Sequence, residues 1–324
     1  MTHAIRIHQV GGPEVMQWEA VEVGNPGPGE VRLRHAAVGL NFIDVYHRTG
    51  AYPLPVPFTP GMEAAAIVDE VGAGVADVKV GDRVAYASSP AGAYAEARLM
   101  PANRVVKLPD AITDMQAAAM MLQGMTAQYL LRRTYRVQPG DTVLVQAAAG
   151  GVGLILCQWA KHLGATVIGT VSSEQKAALA KANGCDHPII YTREDFQARV
   201  MQITEGKKVA VVYDSVGKDT FAKSLDCLRP LGMMALFGQS SGPVPPFDLG
   251  QLAAKGSLFI TRPSLFAYTA RREDLLSSAH ELFDVVVSGA VRISVNQTYP
   301  LREAAQAHRD LESRKTTGST VFTL

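Results

Sequence analysis

Thr142-Val143-Leu144-Val145-Gln146-Ala147-Ala148-Ala149-Gly150-Gly151-Val152-Gly153, followed by an apolar-rich run over 154–163, Gly164 and the β-branched Thr166-Val167-Ile168, decides the fold. The order is strand, glycine turn, helix, strand: one βαβ unit. Glycines there let the backbone turn tightly, approach a pyrophosphate and pack the helix on its strand. The free N–H groups and positive dipole end of the helix start then favour an anion. Ala148 stands where the first glycine of G-x-G-x-x-G would be, so the cluster alone also fits a plain tight turn. Its place between an apolar strand and a periodic helix favours the dinucleotide reading.

The end of the second strand bears on which dinucleotide. NAD-selective sites place Asp or Glu there for the ribose 2′-OH. This chain reads Gly169-Thr170-Val171-Ser172-Ser173-Glu174-Gln175-Lys176. No acid sits at the strand end, while two hydroxyls and a lysine one turn later suit a 2′-phosphate. A second reading has Ser172 capping the next helix with Gln175 completing a capping box. The two are compatible. Glu174, inside the first helical turn, complements the dipole. The strand end therefore favours NADPH.

At 324 residues, 47% hydrophobic and 19% charged, the chain is long enough for two domains. A formal charge of +1 argues against a nucleic-acid surface as the main activity. The start Met1-Thr2-His3-Ala4-Ile5-Arg6 lacks the apolar centre of a signal peptide. No apolar run reaches the roughly 18 residues of a membrane span. Cys157, Cys185 and Cys227 are read as buried thiols, and a reducing cytoplasm fits them.

Working outward, residues before about 120 form short alternating strands: 30–38, 65–71 and 82–86, punctuated by glycine and proline turns. That is the signature of an irregular barrel or sandwich. Pro53, Pro55, Pro57 and Pro60 mark an extended loop outside any central strand. From Thr113 the character changes to helix, strongly apolar over 117–131. Strands at 209–213, 233–237 and 258–260, with a helix near 219–228, complete a doubly wound sheet of six strands. Helices over 272–287 and 301–313, a strand near 291–295 and another at 319–322 make a tail that returns to the first domain. The ligand cleft is expected over the carboxyl ends of the sheet strands, between the domains. The apolar last strand, Ser257-Leu258-Phe259-Ile260, needs covering or pairing with its twin.

Several stretches together resemble the medium-chain dehydrogenase/reductase superfamily, and within it the zinc-independent, zeta-crystallin-like NADPH:quinone oxidoreductases. They are Gly39-Leu40-Asn41-Phe42-Ile43-Asp44-Val45-Tyr46-His47-Arg48-Thr49-Gly50-Ala51-Tyr52-Pro53, Pro60-Gly61-Met62-Glu63, Gly81-Asp82-Arg83-Val84, 147–153, Val212-Tyr213-Asp214-Ser215-Val216-Gly217 and Phe237-Gly238-Gln239-Ser240-Ser241-Gly242. The tail pieces Pro300-Leu301 and Leu311-Glu312-Ser313-Arg314 fit the same group. The resemblance implies an α/β fold: a doubly wound six-stranded parallel Rossmann sheet plus a GroES-like, mainly β N-terminal domain completed by the C-terminal tail. The implied divisions are 1–124, 125–265 and 266–324.

Where zinc alcohol dehydrogenases of the superfamily carry a ligand Cys and His, this chain has Asn41 and Met62, a poor Zn²⁺ pair. The four-cysteine structural lobe is missing, and the eight histidines show no ligand spacing. No metal is expected. Without a Lewis acid, the chemistry suits an acceptor that is already electrophilic, a quinone, taking hydride from NADPH. By resemblance, Asn41 lies near the nicotinamide, Asp44 organises its network or is a turn acceptor, and Tyr46 and Tyr52 wall the acceptor pocket or pack in the core. Gly150, Gly151 and Val152 meet the pyrophosphate. Ser172, Lys176 and Tyr191 surround the 2′-phosphate. Thr126, Ser215, Gly238, Gln239, Ser240 and Ser264 line the ribose and nicotinamide path, and Arg314 closes from the tail. The alternatives are an NADPH-dependent enone or alkenal reductase and a non-catalytic NADPH- and RNA-binding crystallin-like protein. The resemblance also implies a homodimer.

Overall fold

The computed structural model describes residues 2–324, which divide into two compact units. The first runs to Met125 and resumes at Thr269–Val287 and Ile293–Leu324. Strands β1 (Thr2–Ile7) and β2 (Met16–Val21) pair antiparallel. Strand β3 (Glu30–Leu40) then leads into helix α1 (Phe42–Thr49), followed by β4 (Glu63–Val71), β5 (Arg83–Ala87), β6 (Ala97–Pro101) and β7 (Val106–Lys107). Alternation on β3 sends Val31 and Leu33 inward and leaves Arg32 and Arg34 toward water, as a half-solvated antiparallel strand requires. Residues 53–57 belong to no strand, as four closely spaced prolines dictate; nearby Phe58 makes one isolated bridge with Ile7.

The helical stretch expected from Thr113 begins there, with Thr113 as N-cap, but divides into α2 (Asp114–Ala118) and α3 (Met121–Tyr129). Thr113 and Gln116 cap α2 reciprocally, Ala119 ends it, and a wider turn at Leu130–Thr134 follows α3. Apolar periodicity persists through that break, so pattern alone does not reveal it.

The second unit comprises Thr126–Tyr268 and Ser288–Arg292. Its elements alternate: β8 (Thr142–Val145), α4 (Gly151–His162), β9 (Thr166–Val171), α5 (Glu174–Ala182), β10 (His187–Ile190), α6 (Phe196–Ile203), β11 (Val209–Asp214), α7 (Phe221–Asp226), β12 (Leu228–Leu236), α8 (Gly250–Ala254), β13 (Phe259–Thr261) and α9 (Leu265–Tyr268). The sheet is parallel in the order β10-β9-β8-β11-β12-β13. All six residues of β11 are buried, because helices cover both faces of its middle strands. The chain leaves β8 in one direction and returns as β11 beside it. That reversal is the switch point where such sheets hold ligands.

The tail adds α10 (Arg272–Val287), β14 (Val295–Pro300), α11 (Ala304–Glu312) and β15 (Ser319–Thr323). Strand β15 pairs with β3 and with β14, so the tail completes the first unit's sheet. The tail strand lies at Val295–Pro300, not at 291–295: Val291 is buried, but residues 291–294 make no strand. All three cysteines are free and buried.

Candidate active site

The glycine turn of the second unit is built for close packing. Gly150 is the N-cap of α4, and Leu154 N donates to its carbonyl at 2.9 Å. Helix α4 therefore begins at Gly151, three residues before the apolar run. A Cβ on Gly153 would stand 2.4 Å from the Ala147 carbonyl oxygen, so only glycine lets the helix sit on the strand here. This leaves the first-turn N–H groups, which no helix satisfies internally, at the carboxyl end of β8. Gly150, Gly151 and Val152 form that turn and helix start.

At the end of β9 the structure corrects the capping assignment. Ser173, not Ser172, is the N-cap of α5, accepting from Lys176 N at 3.3 Å. The third helical position is thus Lys176, and Gln175 completes no box. Ser172 instead offers its carbonyl to the Thr192 hydroxyl at 3.1 Å, and Tyr191 N donates to Val171 O at 3.0 Å. Ser172, Lys176 and Tyr191 are thereby gathered at the ends of β9 and β10. Glu174 pairs with Arg193 at 2.6 Å.

Asp214 organises the end of β11. Its buried carboxylate accepts from Val216 N, Gly217 N and the Thr220 hydroxyl, which fixes the turn carrying Ser215. Ser240 N donates to Ser215 O, and a Cβ on Gly238 would meet that carbonyl at 2.5 Å. Ser215, Gly238, Gln239 and Ser240 therefore lie together past β11 and β12. Arg262, not singled out from sequence, donates to Leu236 O at 2.9 Å and brings a cation to the same edge. Thr126 is buried on α3, while Ser264 is exposed just after β13.

In the first unit, Asn41 ends β3 and caps α1. Asn41 and Asp44 form a reciprocal capping box, with Asn41 N donating to Asp44 Oδ2 at 2.9 Å. Asp44 also accepts from the Tyr94 hydroxyl at 3.0 Å and is fully buried. Tyr46 and Tyr52 are half-buried with ring centroids 5.0 Å apart, an aromatic pair one turn beyond Asn41. Gly50, at φ 81°, lets the chain reverse between them. Arg314 is exposed in the same unit, just beyond α11, at φ 60°.

Sequence reasoning missed Glu63 as a site residue. It opens β4, is wholly buried, and accepts from Asn41 Nδ2 at 2.6 Å and from Leu122 N at 2.8 Å. Its one local signal is an acid at the head of an otherwise apolar run.

Burial pushes the Glu63 carboxyl up to about 8; its hydrogen bonds from Asn41 and Leu122 pull against this, and neighbouring Asp44 adds to it. Burial likewise pushes Asp44 up to about 7. His35 and His308 are held down at about 4 and about 3, in both cases chiefly by burial. A raised acid binds its proton more tightly folded than unfolded, so its contribution is present at low pH and lost as pH climbs through the folded value. The lowered histidines act oppositely, costing stability as pH falls below their unfolded value near 6.5. Between pH 5 and 6 the two pairs offset. From pH 6.5 to 8 only the acids change much, and stability should fall by about 1–2 kcal/mol. Urea titrations across that range check this, and Glu63→Gln should flatten the slope.

These donors do not make a zinc site. Asn41 and Glu63 already satisfy each other, Met62 is a buried thioether, and neither thiolate nor imidazole joins them. Among the described residues, no group of three or more His, Cys, Asp or Glu is placed to hold a metal.

A family model described as alcohol dehydrogenase GroES-like domain matches residues 27–110, and one described as zinc-binding dehydrogenase matches residues 151–278. The chain belongs to the medium-chain dehydrogenase/reductase superfamily, in its quinone oxidoreductase family. It is 52% identical over 323 residues to a quinone oxidoreductase of Pseudomonas aeruginosa, with 99% of each chain covered. To a 2-haloacrylate reductase of Burkholderia sp it is 52% identical over 329 residues, again with 99% of each covered. The crystal structure of Escherichia coli quinone oxidoreductase complexed with NADPH is 49% identical, covers 100% of both chains and has a TM-score of 0.98.

Proposed function

We propose that this chain is an NADPH:quinone oxidoreductase that works without a metal. The observation that carries this is the pair of prepared ends: a glycine cradle at α4 with no acid directly at the end of β9, and Asn41 and Met62 where the zinc enzymes carry ligands. The relatives named quinone oxidoreductase support the activity, and the NADPH complex supports the cofactor.

NADPH, when bound, supplies the hydride. The chain's part is to bind and orient. Gly150, Gly151 and Val152 take the pyrophosphate; Ser172, Lys176 and Tyr191 take the 2′-phosphate. Thr126, Ser215, Gly238, Gln239, Ser240 and Ser264 line the ribose and nicotinamide, with Arg314 as a further contact. Asn41 donates from its amide. Tyr46 and Tyr52 flank the acceptor, and a phenol O–H there can donate to a quinone oxygen as charge builds on it. A quinone needs protons only on oxygen, so water serves and no obligatory acid is required.

One observation favours a second reading: the 2-haloacrylate reductase is as similar as the quinone enzymes. An activated alkene needs a proton on carbon after hydride addition, which this site must then deliver. Steady-state turnover with NADPH against 1,4-benzoquinone and 2-chloroacrylate separates the two. We expect kcat/KM for the quinone to exceed that for the acrylate by at least about 10²-fold, because proton transfer to carbon is slower than to oxygen. The reverse order would make the chain an alkene reductase.

The exposed edge strand β13, with Phe259 56% and Ile260 37% accessible, supports a homodimer paired along that edge. Sedimentation equilibrium tests this: Ile260→Lys should shift the mass toward monomer. The free, buried thiols support a cytoplasmic setting. Among the described residues, no helix is long and apolar enough to cross a membrane. The near-neutral charge supports a small-molecule partner over nucleic acid.

A further inference from the structure

Asn41 does not stand alone. The Ser319 hydroxyl, on β15, lies 2.7 Å from Gln123 Oε1 and 2.9 Å from Ala119 O. Gln123 Nε2 donates to Asn41 Oδ1 at 3.3 Å. Asn41 Nδ2 donates to Glu63 Oε2 at 2.6 Å, and Glu63 Oε1 accepts from Leu122 N at 2.8 Å. All four side chains are buried. With Glu63 ionised both its oxygens accept, Oε1 from the Leu122 N–H that cannot reverse and Oε2 from Asn41, so the row runs one way, from donor to acceptor. An amide can be turned over without changing its shape, so only its neighbours decide which end is N–H. Here they leave one Asn41 N–H uncommitted.

We infer that Glu63, Gln123 and Ser319 are positioning residues that fix the Asn41 amide so that its second N–H faces the ligand as a donor. This rests on the reading of Asn41 as a ligand-contacting residue. The close fit supports a dedicated seat: a Cβ on Gly39 would stand 2.4 Å from Glu63 Oε2 and 2.2 Å from Ala118 O, so only glycine leaves room for this carboxyl.

Glu63→Gln is the informative change because it conserves volume. The new side chain keeps the Leu122 bond through its carbonyl and meets Asn41 Nδ2 with a second donor. The Asn41 amide must then turn over or turn away, and in both cases the outward donor is lost. At about pH 9, above the Glu63 value of about 8, kcat/KM with NADPH and 1,4-benzoquinone should fall about ten- to hundredfold. The deciding measurement is the cycle with Asn41→Ala, since residues acting through one another are not additive. In an Asn41→Ala background, Glu63→Gln should cost less than about twofold. Gln123→Met, which removes the donor on Asn41 Oδ1, gives a second cycle if Glu63→Gln does not fold, and should show the same coupling.

Equal losses in both backgrounds, or no loss from Glu63→Gln in the otherwise native chain, would overturn the inference while leaving Asn41 in place. If Asn41→Ala alone left kcat/KM unchanged, the ligand-contact reading itself would fall, and the inference with it.

Discussion

Lys176→Ala should raise KM for NADPH by roughly 10- to 100-fold while changing KM for NADH by less than about threefold. Lys176 lies in the first turn of α5, whose N-cap Ser173 holds the Lys176 backbone N–H. This places the lysine beside the end of β9, where Val171 is followed by Ser172 with no carboxylate to receive ribose hydroxyls. The nearest acid, Glu174, is held by Arg193 at 2.6 Å. A 2′-phosphate dianion there gains a charge-assisted hydrogen bond that a 2′-hydroxyl does not need. Losing the ammonium therefore falls on one cofactor alone. Initial rates with each reduced nucleotide decide it; equal losses would show that Lys176 serves the fold and not the phosphate.

Gly153→Ala should weaken NADPH binding by about 10²-fold, through a displaced cradle and not a lost contact. The added Cβ would stand 2.4 Å from Ala147 O and 2.8 Å from the Ala148 carbonyl carbon, both backbone atoms that cannot rotate aside. Helix α4 or its turn must shift, at about 1–3 kcal/mol of stability. Gly150→Ala is the comparison: its Cβ meets only Ala147 O at 3.2 Å, and its φ of −82° suits any residue. Fluorescence titration with NADPH and a thermal melt of both variants separate the two effects. A Gly153→Ala chain that binds NADPH like the native one would show that close packing at this turn is not what holds the pyrophosphate.

Much of the fold was legible because its signals are local. The run from Thr142 to Val171 carries a strand, a glycine turn and a periodic helix in sequence, and β8, α4 and β9 form there. The helix over 272–287 matches α10 for the same reason. The misses have physical causes. Ser172 and Ser173 are chemically equivalent caps, and the sheet register, with Tyr191 N on Val171 O, sets where the strand lets go. The β-branched Val291 and Ile293 look like a strand but stand before β14 begins at Val295.

Asn41, Tyr46 and Tyr52 could be singled out because they lie close together in sequence, on and just past α1. The residues that hold Asn41 could not. Glu63, Gln123 and Ser319 come from β4, α3 and β15, and no periodicity says which buried polar side chains of distant strands will meet. Asp44 closes the capping box of α1 and also accepts from the Tyr94 hydroxyl, a partner from a distant segment that sequence spacing does not reveal.

The central claim is metal-free hydride delivery to a quinone, and one measurement bears on it most directly. NADPH oxidation by 1,4-benzoquinone should be followed on protein dialysed against a strong chelator, with its zinc content determined in the same sample. The account predicts less than about a tenth of a zinc per chain and an unchanged kcat/KM, since among the described residues no group of three or more His, Cys, Asp or Glu is placed to hold a metal. Stoichiometric zinc, or turnover that vanishes on chelation and returns with zinc, would contradict it.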